Sequence, residues 1–369
     1  MVGEQNIKYS KAYIFGAHSR GKTLKGYLQF LYPEVEIISF IVDDTDENDM
    51  IIEGIPVHSM REMDCWDKSA IVYIATKGLY HADIKKRLES IGMQHILPIT
   101  VEIDNFFRNQ YVKEYMESKR CSFVKIDDLS VHNKLKGCVN LKGTIYMAKS
   151  IFDKTMQSVY VAPIYERAIQ VGAILAGERL NSNILTDCEG ENISAKNRQY
   201  CELTAIYWIW KHVKDDMIGL SHYRRHFILP DNWLELVTEN KVDVVLPVPT
   251  YVLPNIEENY KERHGSYEWD YLLIYLKDRC PEDYKIAKAL FAENLYSPCN
   301  MFIMRREILN EMCTWMFPIL DAVAEYCGTK DDVYLNRYPG FISERLITLF
   351  FYKNRARFNI VYADKNFIT

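Results

Sequence analysis

Short apolar segments alternating with helical periods, twice along the chain, constrain this sequence more than any other feature. Ala12–Phe15 runs into the glycine turn GAHSRGK and a helical stretch. Ile37–Val42 ends in the acidic DDTDEND, Ile71–Ala75 leads into a helical period that stops near Gly92, and Ile96–Pro98 begins another short strand. Short strands each followed by a helical pattern read as a parallel sheet covered by helices. After a polar, strand-poor stretch at 122–143, the alternation resumes with Thr144–Lys149, a helix over 198–213, Ile218–Ser221 and Val242–Val248. It then gives way to helical patterns at 266–278, 281–293, 305–326 and 341–352. The expected architecture is α/β: a small domain over 1–103, a helical and irregular linker over 104–142, and a second α/β domain over 143–369 with a helical C-terminal part. A length of 369 residues suits two domains.

Composition narrows the function classes. A net charge of −5 offers no global basic field, so no nucleic-acid partner is expected. The 9 cysteines include no C-x-x-C pair and are odd in number, against a zinc ribbon or a disulfide framework. They read as reduced thiols of a cytoplasmic protein. No apolar run approaches the roughly eighteen residues needed to span a bilayer, so the expectation is a soluble chain, docked at most on a membrane surface. The 26 tyrosines suit sugar-stacking clefts or interfaces as well as cores.

The turn Gly16–Gly21, after a strand and opening a helix, has the context of a dinucleotide fingerprint. Asp43 and Asp44 close the next strand, where a ribose-binding acid would sit. His18, however, stands where a middle glycine would let the backbone approach a pyrophosphate, so NAD binding and sugar oxidoreduction are disfavoured. Asp44-Thr45-Asp46 has the form of a metal-binding D-x-D motif but reads as a solvated turn. With Gly54–Val57 (GIPV), these features resemble the small Rossmann-like domains that precede sugar-modifying modules in bacterial polysaccharide clusters. A structural or docking domain that kept the fold without its ligand is the other reading.

In the second half, IGLSHYRRHF carries an apolar strand straight into a basic knot. Leu203, Ile206, Trp210 and Val213 fall at helical spacing and form the core stripe of the preceding helix. Alternation puts His222 and Arg224 on one face of the strand and Tyr223 and Arg225 on the other. Two adjacent arginines cannot both enter an apolar layer, but at a strand end both can reach one cleft. Ligands of open α/β sheets bind beyond the carboxyl ends of strands, and the planar guanidinium fork matches phosphate oxygens. The spacing favours a phosphate site over a solvated basic turn.

Several long motifs follow one another in order: VGA (171–173), D-x-x-G-x-N-I-S-x-K-N from Asp187 to Asn197, Y-C-E-L-T from Tyr200, G-L-x-H-Y-R-R-x-F, N-M-F-I-M-R-R-E (300–307) and G-F-I-S-E-R-L (340–346). Over about residues 143–352 they resemble a bacterial family of capsular and exopolysaccharide glycosyltransferase-like proteins, long described as a domain of unknown function. The resemblance implies a GT-A-like nucleotide-diphosphosugar fold. It also implies a UDP-linked donor (UDP-galactofuranose or a UDP-hexose) and a growing capsular, exopolysaccharide or O-antigen glycan as acceptor, lipid-linked at the inner face of the cytoplasmic membrane. The basic and aromatic stretch 350–358 (FFYKNRARF) is a candidate for that membrane contact, a solvated terminal strand the alternative.

Ordinary GT-A members hold the diphosphate through a metal on a D-x-D motif. The corresponding strand here carries no acid, so His222, Arg224 and Arg225 are expected to replace the cation, and transfer is expected to need no metal or other cofactor. By family position, Val171, Gly172, Asp187, Asn192, Lys196 and Asn197 are expected to contact the nucleotide or donor sugar. Proton removal from the acceptor hydroxyl needs a carboxylate. Glu344, read as sitting at a helix start, is the first choice, with capping or neutralisation of Arg345 as its structural alternative. Glu202 is the second choice, or else orients Arg224. His264, Trp269 and Asp270 are candidates for an acceptor cleft, or belong to an ordinary surface helix. A non-catalytic nucleotide-sugar or glycan-binding module remains the alternative function.

Overall fold

Six strands form the sheet of the first unit: β1 (Lys11–Phe15), β2 (Glu36–Val42), β3 (Ile51–Ile52), β4 (Ile55–Ser59), β5 (Ile71–Ile74) and β6 (Ile96–Pro98). They are ordered β3-β4-β2-β1-β5-β6, and every pairing is parallel except the β3–β4 hairpin. The structure, a computed structural model, describes residues 9–43, 50–61, 65–131, 141–156 and 160–368. It divides into two units, Met1–Ser122 and Phe123–Thr369. Asp44 and the Asp44-Thr45-Asp46 triplet lie outside the described residues.

Three helices complete this unit: α1 (Ser19–Leu31), α2 (His81–Ser90) and α3 (Val101–Ser118). Alternation along the strands sends Val72 and Ile74 toward Ile84 and Leu88 of α2. Tyr73 points the other way and meets Phe107 of α3 at 6.2 Å. The charged helix expected to open a linker is thus an integral part of this unit, because Phe107 and Val112 are fully buried and Tyr111 packs on Tyr27. The division falls after it, at Ser122.

The glycine turn has a mechanical explanation. Gly16 has a φ of +112°, and a Cβ on Gly21 would lie 1.9 Å from the Gly16 carbonyl oxygen. Both glycines let α1 start hard against β1. Asp43, expected at a ribose, is bonded to Arg87 instead.

The second unit contains β7 (Gly143–Lys149), β8 (Glu166–Gln170), β9 (Leu185–Thr186), β10 (Met217–His222), β11 (Val244–Pro247), β12 (Thr250–Tyr251), β13 (Leu295–Tyr296), β14 (Phe302–Arg305) and β15 (Ile360–Ala363). Seven of these make one sheet, ordered β15-β11-β14-β10-β7-β8-β9, while β12 and β13 pair separately. β14 is antiparallel to both of its neighbours, and the other pairings in the large sheet are parallel. The helices are α4 (Ala173–Ala176), α5 (Asn197–Tyr200), α6 (Leu203–His212), α7 (Trp233–Glu239), α8 (Ile256–His264), α9 (Tyr267–Arg279), α10 (Pro281–Phe291), α11 (Arg306–Cys327) and α12 (Tyr338–Lys353).

One face of the large sheet buries Ile145, Met217, Val245 and Ile303 against Trp233, Leu236 and Val237 of α7. The α6 stripe is centred on Leu203, Ile206 and Ile209, all fully buried. Trp210, expected in that stripe, is half-buried and bonds Asn310 through Nε1. Phe350 and Phe351, near the end of α12, lie in the core, so these two aromatics of the stretch read as a membrane contact are unavailable to lipid. No helix among the described residues is long and apolar enough to cross a membrane.

If α3 belongs to the first unit, Phe107→Ala should cost about 3–5 kcal/mol of that unit's stability, the usual penalty for emptying a buried phenylalanine site. Urea unfolding followed by hydrogen exchange resolved along the chain would measure it. A loss below about 1 kcal/mol would mean that α3 is only loosely attached.

Candidate active site

The sheet builds the site from its edge. β14 runs against its neighbours, so its amino end meets the carboxyl ends of β10 and β11, with Phe302 opposite Leu220. Cys299 and Asn300, just before β14, both hold left-handed backbone, with φ of 69° and 51°. Such conformations are costly outside glycine and need fixing by their surroundings. Here the Cys299 N–H donates to Glu344 Oε1 at 2.6 Å, and the Cys299 carbonyl accepts from His222 Nε2. Asn300 is buried; its Nδ2 donates to Glu202 Oε1 at 2.8 Å and to the Gly340 carbonyl at 3.1 Å. This short turn joins His222, Glu202 and Glu344, which are distant in sequence.

β10 ends at His222 and the chain reverses at once, with His222 N–H donating to the Arg225 carbonyl and Arg225 N–H returning the bond at 3.1 Å. The strand alternation expected through Arg225 therefore stops at His222, and both arginines ride on the turn. Neither guanidinium forms a hydrogen bond or ion pair with the described residues. Arg224 lies over the rings of Tyr223 and Phe367 at 5.6 and 4.8 Å, and Arg225 lies 5.4 Å from the Phe367 centroid. Lys149, at the end of β7, is likewise without a hydrogen bond or ion pair among the described residues. Burial raises the Asp153 carboxyl, opposed by the Ser150 N–H and by the charges of Lys149, Arg224 and Arg337. Four cationic side chains thus surround or adjoin one carboxyl edge.

The expected roles separate on this geometry. Burial holds the His222 imidazole below its ordinary range, against the pull of Glu202 and aided by Arg225. With Nε2 committed to Cys299, His222 is a neutral strut rather than a third phosphate cation. Glu344 lies inside α12, not at its start; one oxygen takes the Cys299 N–H and the other takes Arg345 at 2.6 Å. Burial raises its carboxyl and Glu202 adds to the rise, while Arg345, Cys299 and Arg225 oppose it. Glu202 keeps one oxygen without a protein donor among the described residues, beside the cluster of His222, Arg337 and Glu344.

The donor-loop residues are occupied internally. Asp187 is fully buried and accepts four bonds, from Gly172 N (2.8 Å), Ala173 N (3.0 Å), Ser194 Oγ (2.6 Å) and Thr204 Oγ1 (2.6 Å). A carboxylate so filled holds the loop together and has nothing left for a nucleotide. Asn192 bonds the carbonyls of Cys188 and Gly190, and Asn197 bonds the Cys201 carbonyl and Thr204. Lys196 reaches Asp321 at 2.8 Å on the surface. Gly172 has a φ of +64°, and a Cβ there would meet Asn197 Oδ1 at 2.5 Å. Val171 is buried beside it.

Of the acceptor candidates, Trp269 is fully buried and cannot offer a ring face to a sugar. Asp270 is exposed and pairs with Lys261 at 3.4 Å. His264 is buried, stacked 3.9 Å from Phe341.

Beneath the arginine turn lies a constellation that sequence reading missed. Glu166 accepts Ser221 Oγ at 2.6 Å, Tyr160 OH at 2.8 Å and His226 Nδ1 at 2.9 Å. The Tyr160 ring stacks 3.6 Å from His226, and His226 Nε2 lies 3.3 Å from the Tyr223 carbonyl. The side chains of Glu166 and His226 are 2% and 1% exposed, so this network supports the turn and does not line the cleft. A separate pocket of about 310 Å³, lined by Trp210, Lys214, Arg306 and Asn310 among others, contains none of these residues. Among the described residues no three His, Cys, Asp or Glu side chains are grouped to hold a metal.

Burial, then Arg345 and Arg263, pushes the His264 imidazole from 6.5 down to about 3. The folded state therefore refuses a proton that the unfolded chain accepts, and stability falls as pH drops from about 6.5 toward about 3. The slope contributed is at most one proton, about 1.4 kcal/mol per pH unit. His264→Phe should flatten the acid limb of stability between pH ~6 and ~4 in urea titrations. An unchanged limb would assign the acid sensitivity to other groups.

An apo structure of the bifunctional glycosyltransferase WbbM matches this chain with a TM-score of 0.52 at 21% identity, covering 62% of this chain and 45% of that one. The chain spans less than half the length of that protein, and the likeness is one of fold: the second unit has a GT-A-like α/β architecture. Core-mannan synthase A from Aspergillus fumigatus, in an Mn/GDP form, matches with a TM-score of only 0.21 at 9% identity over 97% of this chain and 74% of that one. No curated protein matches the chain. The family described as a domain of unknown function, DUF4422, matches residues 150–355, which hold β8, β10, β14, α12 and the whole arginine–carboxylate cluster, and the chain belongs to that family.

Proposed function

We propose that the second unit is a glycosyltransferase that moves a sugar from a UDP-linked donor, a UDP-hexose or UDP-galactofuranose, to a growing capsular, exopolysaccharide or O-antigen glycan. The observation that carries this reading is the pair of guanidinium groups on Arg224 and Arg225 at the carboxyl end of a central strand, which form no hydrogen bond or ion pair with the described residues. Positive charge held ready at that edge suits a diphosphate whose charge grows as the sugar departs. The fold likeness to a glycosyltransferase supports the same reading. Lys149 adds a third cation from the neighbouring strand, a residue not singled out from sequence.

In this scheme the donor diphosphate sits over the Tyr223–Arg225 turn. Arg224 and Arg225 make charge-assisted hydrogen bonds to its oxygens and take the role that a divalent ion plays in metal-dependent enzymes. Glu202, with one oxygen fixed by Asn300 and the other open, takes the acceptor hydroxyl's proton. Glu344 and His222 hold the Cys299 turn that aims Asn300 at Glu202. The acceptor is lipid-linked and met at the inner membrane surface. A non-catalytic nucleotide-sugar-binding module would use the arginines equally well, but would have no use for the open oxygen of Glu202.

UDP release from a panel of nucleotide sugars, with and without EDTA and with candidate acceptors, tests the reading. Arg224→Ala and Arg225→Ala should each lower kcat/KM by roughly ten- to a hundredfold. Glu202→Gln should lower kcat by roughly a hundred- to ten-thousandfold while UDP still binds. Turnover abolished by EDTA would defeat the arginine-for-metal scheme, and a fully active Glu202→Gln variant would remove Glu202 as the base.

A further inference from the structure

The segment after β15 turns back along the arginine turn and pairs with it through the main chain. Ile228 N–H donates to the Asp364 carbonyl at 2.8 Å, Asn366 N–H to the His226 carbonyl at 3.0 Å, and Ile368 N–H to the Arg224 carbonyl at 2.8 Å. The Asn366 side chain adds a bond from the His226 N–H at 2.9 Å. Asp364 is itself anchored by Lys125 at 2.6 Å. This ladder delivers one aromatic ring, Phe367, to both guanidinium groups, at 4.8 Å from Arg224 and 5.4 Å from Arg225. Phe367 is 46% exposed, so apolar burial alone does not account for its placement.

Two adjacent arginines without counter-ions among the described residues repel each other, and their long side chains would otherwise sample many rotamers. A ring face carries negative quadrupole density that attracts guanidinium groups and costs no hydrogen-bond donor. A carboxylate in that place would also gather them, but it would occupy the donors and compete with an incoming phosphate.

We propose that Phe367 is a positioning residue of the anion site. It gathers Arg224 and Arg225 over one ring and presents their N–H groups, still unused, to a diphosphate. The C-terminal segment 364–368 is then a working part of the site, fastening Phe367 beneath the arginines. This inference rests on the reading of the arginine pair as the diphosphate site and assigns that site's preorganisation to one aromatic ring.

Calorimetric titration of the full chain with UDP tests it. Phe367→Leu keeps an apolar side chain of similar size without a π face, and Phe367→Tyr keeps the face. UDP should bind Phe367→Leu about five- to thirtyfold more weakly than wild type, as expected for losing two cation–π contacts. Phe367→Tyr should bind within about twofold of wild type by the same account. Melting temperatures of both variants separate a loss of fold from a loss of affinity. If Phe367→Leu binds UDP like wild type while Arg225→Ala loses binding, the diphosphate reading stands and the role of Phe367 is overturned. Equal losses in the leucine and tyrosine variants would also overturn it, since the ring face would then not be what matters. If the wild-type chain does not bind UDP, the diphosphate reading itself falls.

Discussion

An antiparallel strand set between two neighbours of opposite direction brings its amino end to the edge where their carboxyl ends lie. β14 does this between β10 and β11, and the candidate site depends on it. Because of that reversal, Cys299 and Asn300 arrive beside His222, and the helix α12 that carries Glu344 is tied to the same point. In an all-parallel sheet the residues preceding that strand would lie at the opposite edge, remote from the arginine turn. The left-handed backbone at Cys299 and Asn300 is a local cost of making the entry turn this tight. The bonds from His222, Glu344, Gly340 and Ser343 keep it in place.

The charges at this edge are distributed unevenly. Arg345 is buried and bonded to Glu344 and to the Phe341 carbonyl, with the Tyr296 ring 4.3 Å away. Arg337 spends its Nε on Cys201 at 3.0 Å. Arg224 and Arg225 form no hydrogen bond or ion pair with the described residues, although Asp153 is near enough to feel the charge of Arg224. A protein that needed these arginines only for stability would pair them, since a bidentate carboxylate is the stronger contact. Here the rigid parts lie below them, in Glu166, Ser221, Tyr160 and His226, where one buried carboxylate collects three donors. Stability is concentrated beneath the turn and unused donor capacity is left on top of it.

Much of this architecture was legible in the sequence where the signal is local. The strand ending in HYRRH, the helices α9 to α12 and the sidedness of α6 all follow from periodicity and turn residues close at hand. Helix α3 was visible as a helix but not as part of the first unit, because its burial depends on Tyr73 and Tyr32 in distant segments. Motif spacing marked Asp187, Asn192 and Asn197 without revealing whether they face a ligand or each other. The structure shows them bonded into the loop. Trp269 had the composition of a sugar platform but the position of a core residue. Glu166 and Phe367 carried no local signal, since their partners lie across the sheet and at the far end of the unit.

The same difference between position and occupancy is why we propose Glu202 rather than Glu344 as the base. Glu344 has the motif, the burial and the raised carboxyl that often accompany a general base. Yet a base must offer a lone pair to the proton it removes, and both oxygens of Glu344 already face protein donors, one of them a guanidinium that stays charged. Its raised carboxyl therefore reports burial among fixed partners. Among the described residues Glu202 has one hydrogen-bond donor, Asn300, and that bond leaves the second oxygen without a protein donor while limiting the rotation of the group. A carboxylate held at one oxygen and open at the other is oriented without being consumed, which is the geometry that proton transfer from an incoming hydroxyl requires.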